Sequence, residues 1–194
     1  MKKKIFMITL AACLVVLSIA GTSLAYFTDT DAKTNVFTAG KVDITLTYDE
    51  TTTRLYPGQE YIKDATINNV GTEDAYVGII IEVPTTAFSL AEIEQVFTVP
   101  GNDTVKYVAT ATGYKIFAVA GAPIAKEAGA VVDSTTLSFK AKIPADWGNE
   151  KMATFNGLTI KVTAYGTQTV GFSNTTEALT KAFANDWAAA YTNP

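Results

Sequence analysis

Histidine is absent from the 194-residue chain, and its single cysteine, Cys13, lies within an apolar N-terminal run. Without histidine there can be no imidazole metal ligand, no Ser-His or Cys-His catalytic pair and no histidine pH switch. A chain that lost its N-terminal run would also have no thiol for a disulfide. The stability of such a domain must come from its hydrophobic core.

The N-terminal run has the features of a cleaved secretion signal. Three lysines, Lys2 to Lys4, precede the apolar stretch Ile5 to Ala20, and small residues follow at Ser23 and Ala25. This order predicts cleavage by a signal peptidase between Ala25 and Tyr26. A permanent membrane span and a lipoprotein signal at Cys13 are the alternatives. The Ser-Leu-Ala junction and the apolar residues that continue beyond Cys13 favour the cleaved signal.

Basic residues are scarce in the predicted mature chain. Removing residues 1–25 takes away three of the 15 Lys and Arg, leaving 12 against 19 acidic residues and a formal charge of −7. Non-specific nucleic-acid binding depends mainly on Lys and Arg contacts to phosphates, so we expect no nucleic-acid partner. We expect membrane contact only for the uncleaved precursor. The remaining 169 residues suit one domain with its own core.

Motifs for catalysis or metal binding are also lacking. The best candidate for a cation loop is Asp29-Thr30-Asp31, but Lys33 stands where a further oxygen ligand is needed. The chain has no G-x-S-x-G sequence and no glycine-rich phosphate loop after a strand. We therefore predict no catalytic, metal-binding or cofactor-binding residues, no cofactor, and a protein that is not an enzyme.

Alternating apolar and polar residues dominate the chain from Val36 onward. In Lys41 to Tyr48 the apolar residues all fall on one face, which is typical of a half-buried antiparallel strand. Further strands are predicted at 63–69, 75–83, 105–111, 114–119, 136–143 and 158–164. Seven short strands separated by turns predict a mainly β fold, a jelly-roll or Greek-key two-sheet sandwich.

Helical patterns occur at two places. Ser89 and Glu92 form a capping-box pattern that predicts a short helix ending near Phe97. The stretch from Asn174 to Ala190 has apolar residues at helical spacing, namely Leu179, Phe183 and Trp187. We expect this C-terminal helix to pack on the sandwich. The predicted organisation is a signal peptide at 1–25, an arm at 26–40 and one β-sandwich domain at 41–194.

The arm is the most informative segment. Tyr26 to Val36 can form a strand but is too polar to bury itself well on its own domain. Fully extended, its eleven residues span about 36 Å, enough to cross a sheet. A sandwich with an open edge offers unpaired backbone groups that such a strand can satisfy in a second molecule. A disordered tail and an edge strand of its own sheet are the alternatives.

The sequence around the junction resembles the TasA/camelysin family. The similarity is carried by Ala25 to Thr30 and by Asn35 to Asp43, with the pattern aromatic-Phe-x-Asp followed by Phe-x-Ala-Gly-x-Val-Asp. Leu55 to Gly58 and Ile67 to Gly71 resemble the family's Pro-Gly and Asn-x-Gly elements. The residues after Ala164, including the Ala-rich final helix, are similar to the family's C-terminal end.

The resemblance implies an exported protein of Gram-positive bacteria that forms extracellular biofilm-matrix fibres. It implies a jelly-roll subunit whose N-terminal arm completes the sheet of the next copy, giving a head-to-tail homopolymer. The residues expected to act are Ser23, Ala25 and Tyr26 in signal-peptidase cleavage, and Tyr26, Phe27, Asp29, Val36 and Phe37 in polymerisation. The expected location is outside the cell, in the matrix or on the cell surface.

Other functions remain open from the sequence. The family also includes members classed as metallopeptidases, so a secreted camelysin-type peptidase is one alternative. An adhesion or carbohydrate-binding sandwich is another. An accessory matrix protein as a further partner, and a cell-wall or spore-surface destination, are likewise left open.

Overall fold

The structure is a computed structural model, and it describes residues 41–48, 54–102, 104–129, 131–155 and 157–191. All of them belong to the compact unit Gly40–Pro194. Within these residues the chain forms eight strands and four helices. The predicted signal peptide and arm lie outside the described residues.

The strands form two four-stranded antiparallel sheets. The first sheet has the order β1 (Ile44–Tyr48), β2 (Glu60–Asn69), β7 (Asp133–Lys142) and β4 (Phe97–Thr98). The second has the order β5 (Lys106–Thr110), β6 (Gly113–Val119), β3 (Ala75–Val83) and β8 (Lys161–Gln168). The antiparallel pairs β2–β7 and β3–β6 are those of a jelly roll, and the predicted mainly β, two-sheet sandwich is confirmed.

The core forms where the apolar faces of the two sheets meet. In β2 the inward residues Ala65 and Ile67 are fully buried, while their neighbours in sequence point away from the core. Strand β3 differs because it is buried on both faces. Its inward residues Val77, Ile79 and Ile81 join the core between the sheets, whereas Ile80 joins a second cluster on the outer face. Strand β3 accordingly lies inside its sheet, between β6 and β8.

The C-terminal residues pack on the outer face of the second sheet, as expected. Leu179 and Trp187 are fully buried there, and Trp187 makes an edge-to-face contact with Phe117 at 5.4 Å between ring centroids. The segment is two helices rather than one, α3 (Thr175–Ala182) and α4 (Ala184–Tyr191). The break occurs at Phe183, whose φ of −125° and ψ of 50° are not helical. Its N–H still donates to Leu179 and its carbonyl accepts from Trp187, so the backbone groups remain paired across the break.

Turn and cap residues behave as their chemistry predicts. Gly58 has a φ of 77° in the Tyr56–Gln59 turn, a conformation that favours glycine. Ser89 caps α1 (Leu90–Val96) with both bonds of a capping box, and the Asn174 side chain accepts from the Glu177 N–H at the start of α3. The two elements that sequence patterns did not predict are short: β4, with two residues, and α2 (Asn149–Ala153), with five.

Candidate assembly site

The residues predicted to act in cleavage and polymerisation cannot be placed. Ser23, Ala25, Tyr26, Phe27, Asp29, Val36 and Phe37 all lie outside the described residues, as does the Asp29-Thr30-Asp31 segment. The description begins at Lys41, directly after the arm. On the domain side, the site consists of the residues that hold Lys41, at the root of the arm, and of the strand edges.

The root of the arm is fixed to the turn that follows β2. The backbone N–H of Lys41 donates to Oγ1 of Thr72 at 3.0 Å, and the N–H of Thr72 donates back to the Lys41 carbonyl at 2.8 Å. The N–H of Val70 donates to the carbonyl of Asp43 at 2.9 Å. These bonds continue the β1–β2 pairing beyond the strand ends, so the chain leaves residue 41 from a defined point.

Asn69 organises this turn from inside the protein. Its side chain is fully buried, and its Nδ2 group lies within hydrogen-bonding distance of the carbonyls of Glu73, Ile124 and Ala125. Its Oδ1 atom accepts from the N–H of Gly71 at 3.0 Å. A buried amide needs such partners, since an unpaired one costs about 1–3 kcal/mol. Asn69 thus joins the turn to the loop before β7.

Gly71 is required by the close approach of the arm root. A Cβ atom at this position would lie 2.5 Å from the Lys41 carbonyl oxygen and 2.7 Å from the Asp43 nitrogen. Both atoms belong to the backbone and cannot move aside cheaply. The Asn-x-Gly element therefore has a structural role here: its glycine lets the strand entering β1 lie against the turn, and its asparagine holds the turn in place.

One side of the sandwich, between β4 and β5, is closed by helix α1. Ile93 and Val96 of this helix are buried in the core, and Phe97 follows them as the first residue of β4. The Tyr107 hydroxyl on β5 donates to the Phe97 carbonyl at 2.8 Å, which ties the two sheets together. We call this side the closed side.

The closed side is also held by a charged cluster. Glu92 of α1 accepts from Lys151 and from the Ser89 N–H, and these bonds, the one from Lys151 first, lower the pKa of the Glu92 carboxyl from 4.5 to about 2. The Lys151 ammonium group lies 5.1 Å from the ring centroid of Trp147 and 5.3 Å from that of Phe88. These contacts attach α2 to α1 and to the core.

The opposite side, between β1 and β8, lacks such a cover within the described residues. Here inward side chains of both strands pack against the core but remain half-buried: Ile44, Leu46, Val162 and Ala164. The strands approach each other at one end, where a Cβ atom on Gly166 would lie 3.0 Å from Cγ2 of Ile44. They pair with β2 and β3 respectively, and not with one another. We call this side the open side.

Strand β8 is the longest edge strand in the described part of the chain. It has eight residues, against five in β1, five in β5 and two in β4. Eight residues extend over about 26 Å, which an eleven-residue strand can match along its whole length. An edge of this length presents backbone groups that another strand can pair with.

The described residues do not form a metal-binding site. No group of three His, Cys, Asp or Glu residues among them lies close enough together to hold a metal ion. The complete chain also lacks histidine, the commonest nitrogen ligand of zinc peptidases. The described residues therefore do not fit a catalytic zinc ion. None of the helices in these ranges has the length and apolar character needed to cross a membrane.

The sequence pattern does not show that β8 is an edge strand, so it does not predict the open side. The bounds of this strand also differ from the prediction. The pattern predicted a strand at 158–164, whereas β8 covers Lys161–Gln168. Leu158 and Ile160 are apolar and pack against the core, so they extended the alternating pattern although they precede the strand. Asn69 ends the strand predicted at 63–69, and its burial depends on contacts to Ile124 and Ala125, which lie far from it in the chain.

The fold and the geometry of this site define a two-sheet β-sandwich with a fixed arm root and, among the described residues, one side without a covering helix or strand. The family model for camelysin metallo-endopeptidase matches residues 1–88, a range that includes β1, β2 and β3. The resemblance to the TasA/camelysin family is thereby confirmed, in the N-terminal part of the chain. Comparison with curated proteins finds no match.

Proposed function

We propose that this protein is a secreted structural subunit that polymerises into extracellular fibres. In the proposed mechanism, signal-peptide removal frees the arm, Tyr26 to Val36, which then pairs with β8 of a second copy. The observation that carries the proposal is the difference between the two sides of the sandwich. A helix and a strand cover the closed side, whereas half-buried apolar residues line the open side.

The physical advantage of this pairing is twofold. The incoming strand satisfies backbone groups along the β8 edge. Since adjacent strand residues face opposite sides of a sheet, one of Tyr26 and Phe27 faces the core and covers Val162 and Ala164. Burial of that aromatic ring contributes on the order of 2 kcal/mol. Donor and acceptor surfaces differ, so the contact is head-to-tail and extends into a filament instead of closing on itself.

Deletion of the arm tests the polymerisation. Mature protein starting at Tyr26 should form filaments visible by negative-stain electron microscopy. A variant lacking Tyr26 to Asn35 should keep its circular dichroism spectrum and remain monomeric by analytical ultracentrifugation. Filaments of normal length from the deleted variant would refute the proposal.

Cross-linking tests which edge accepts the arm. The mature chain contains no cysteine, so Phe27→Cys in one tagged subunit can be combined with Thr163→Cys on β8 in a differently tagged subunit. A short bismaleimide should then link the two subunits. Thr110→Cys on β5, the other edge of the same sheet, is the matched control and should give little product. A chain that carries both Phe27→Cys and Thr163→Cys tests the alternative: linkage within single molecules at concentrations below assembly would identify the arm as an edge strand of its own sheet.

A secreted metallopeptidase is the second candidate, favoured by the name of the matching family. It predicts that the purified mature protein cleaves casein and that a chelator abolishes the cleavage. The described residues include no group of three His, Cys, Asp or Glu side chains that could hold a metal ion, which argues against this function. Casein cleavage that survives repurification and is lost with the chelator would favour it over the structural role.

A further inference from the structure

Three of the six large, exposed hydrophobic side chains in the described part of the chain lie at the end from which the arm emerges. Val170 is 72% exposed, Val131 69% and Val132 42%. Single exposed valines are common on soluble domains and need no explanation. Three at the same end, next to the root of a proposed assembly arm, form a candidate contact surface.

Backbone hydrogen bonds place these valines at one end of the sandwich. The Asp74 carbonyl accepts from the N–H of Thr169, next to Val170, at 3.2 Å, and Oδ1 of Asp74 accepts from the N–H of Lys126 at 2.9 Å. The Gly71 carbonyl accepts from the Glu127 N–H at 3.2 Å.

The loop that begins at Lys126 and Glu127 reaches Val131 within a few residues. The Val131 N–H and carbonyl pair with the carbonyl and N–H of Ala128 at 3.3 and 3.2 Å. This loop is bonded to Gly71 through Glu127, and Gly71 lies against Lys41 at the root of the arm. We therefore call the surface formed by Val131, Val132 and Val170 the entry face.

The length of the chain before Lys41 limits how far the entry face can lie from a neighbouring molecule. If Tyr26 to Val36 pairs with β8 of a second copy, residues 37–40 alone connect that strand to Lys41. From Val36 to Lys41 the chain makes five residue steps, which span at most about 18 Å even when fully extended. The entry face of the donor molecule must therefore lie close to the acceptor molecule.

We propose that the entry face is the second contact of the fibre and packs against the acceptor copy beside its open side. This inference rests on the proposed function, since it needs an arm bound to a second copy. The occupant is another molecule of the same chain, and the contact adds apolar burial to the pairing of the arm. The arm then supplies the connection, and the entry face fixes the angle between successive subunits.

Two measurements on the mature chain separate this inference from the proposed function. The first is binding of a fluorescent peptide with the sequence Tyr26 to Gly40, measured by anisotropy at protein concentrations below assembly. The second is the critical concentration for filament formation, measured by sedimentation. The test variant is Val131→Ser combined with Val170→Ser. Ile62→Ser is the matched control, because Ile62 is 55% exposed on the outer face of β2, near the end of this strand opposite the entry face.

We expect the double variant to raise the critical concentration by about tenfold or more, the effect of losing a few buried methyl groups at an interface. Peptide binding should change by less than about twofold, and the control should assemble like the wild type. A single Val170→Lys variant should act in the same direction, with the circular dichroism spectrum confirming that each variant is folded.

The outcomes differ for the two proposals. If the peptide binds and the double variant assembles at the wild-type concentration, the entry face is not a contact, and the proposed function stands. If the peptide fails to bind the wild type, the proposed function fails and the entry-face contact fails with it. If Ile62→Ser impairs assembly as much as the double variant, the effect is not specific to the entry face.

Discussion

Gly78, in the middle of β3, lies directly beneath the indole ring of Trp187. A Cβ atom on Gly78 would be 2.6 Å from Cη2 of Trp187 and 2.8 Å from Cδ1 of Leu179. Because Gly78 has no side chain, Leu179 of α3 and Trp187 of α4 can pack closely against the outer face of the second sheet.

The first prediction follows from this contact. Gly78→Ala should destabilise the fold by about 2 kcal/mol, because the methyl group forces Trp187 and Leu179 out of a packed cluster. Urea unfolding followed by tryptophan fluorescence measures the loss. Gly121→Ala is the matched control, since a Cβ atom there would meet no atom within 4 Å. Equal stability of the two variants would show that the helices adjust without cost.

The second prediction concerns the buried asparagine at the arm root. Asn69→Ala should lower the free energy of unfolding by about 2–4 kcal/mol, because the Gly71 N–H and the carbonyls around Nδ2 lose a buried partner. Asn68→Ala is the control one residue earlier. Asn68 bonds to Oγ1 of Thr45 at 3.3 Å on the outer face, so its loss should cost less than about 0.5 kcal/mol. Similar losses in chemical denaturation would contradict a special role for Asn69.

The third prediction is a loss of stability in acid. The pKa of Glu177 is lowered from 4.5 to about 2, first by its bond to Lys181 and then by the Ser173 N–H, and that of Glu92 is lowered to about 2 by Lys151 and Ser89. A lowered carboxyl pKa means that the folded state favours the ionised form. The stabilisation is therefore present above about pH 4.5 and is lost as the pH falls toward 2.

Unfolding in urea at several pH values between 7 and 2.5 tests this direction. The Glu92→Gln and Glu177→Gln variants should lose less stability than the wild type over the acid range, because each lacks one of the carboxyls that must be protonated. Glu150→Gln changes an exposed carboxylate on α2 and serves as the control. Parallel pH curves for the wild type and both test variants would show that these carboxyls do not couple to folding.

Much of the fold could be predicted, because two-residue alternation is typical of a half-buried strand and a continuous short apolar run is typical of a strand buried on both faces. The predicted strand at 75–83 coincides with β3, and the capping-box residues Ser89 and Glu92 mark the start of α1. The prediction was less accurate at β8, where Leu158 and Ile160 continue the alternation outside the strand. It also missed β4, because two residues carry no periodic pattern.

The candidate site was also only partly predictable from the sequence. The Asn-x-Gly element is visible there through its resemblance to the family, but its contacts to Lys41, Ile124 and Ala125 join residues far apart in the chain. The arm and its cleavage site are sequence predictions, and they lie outside the described residues. The open side could not be predicted, because it depends on which strand ends each sheet.

The sequence by itself determined that this protein has no histidine, and its patterns predicted the β-sandwich that the structure has; the leader and the strand-forming arm stay predictions. These properties are local, since composition and alternation act over a few residues. Only the tertiary structure decided that α1 covers one side of the sandwich, while no described helix or strand covers the other side, between β1 and β8. That difference arises from the order of the strands in the two sheets, which is set by packing between residues distant in the chain.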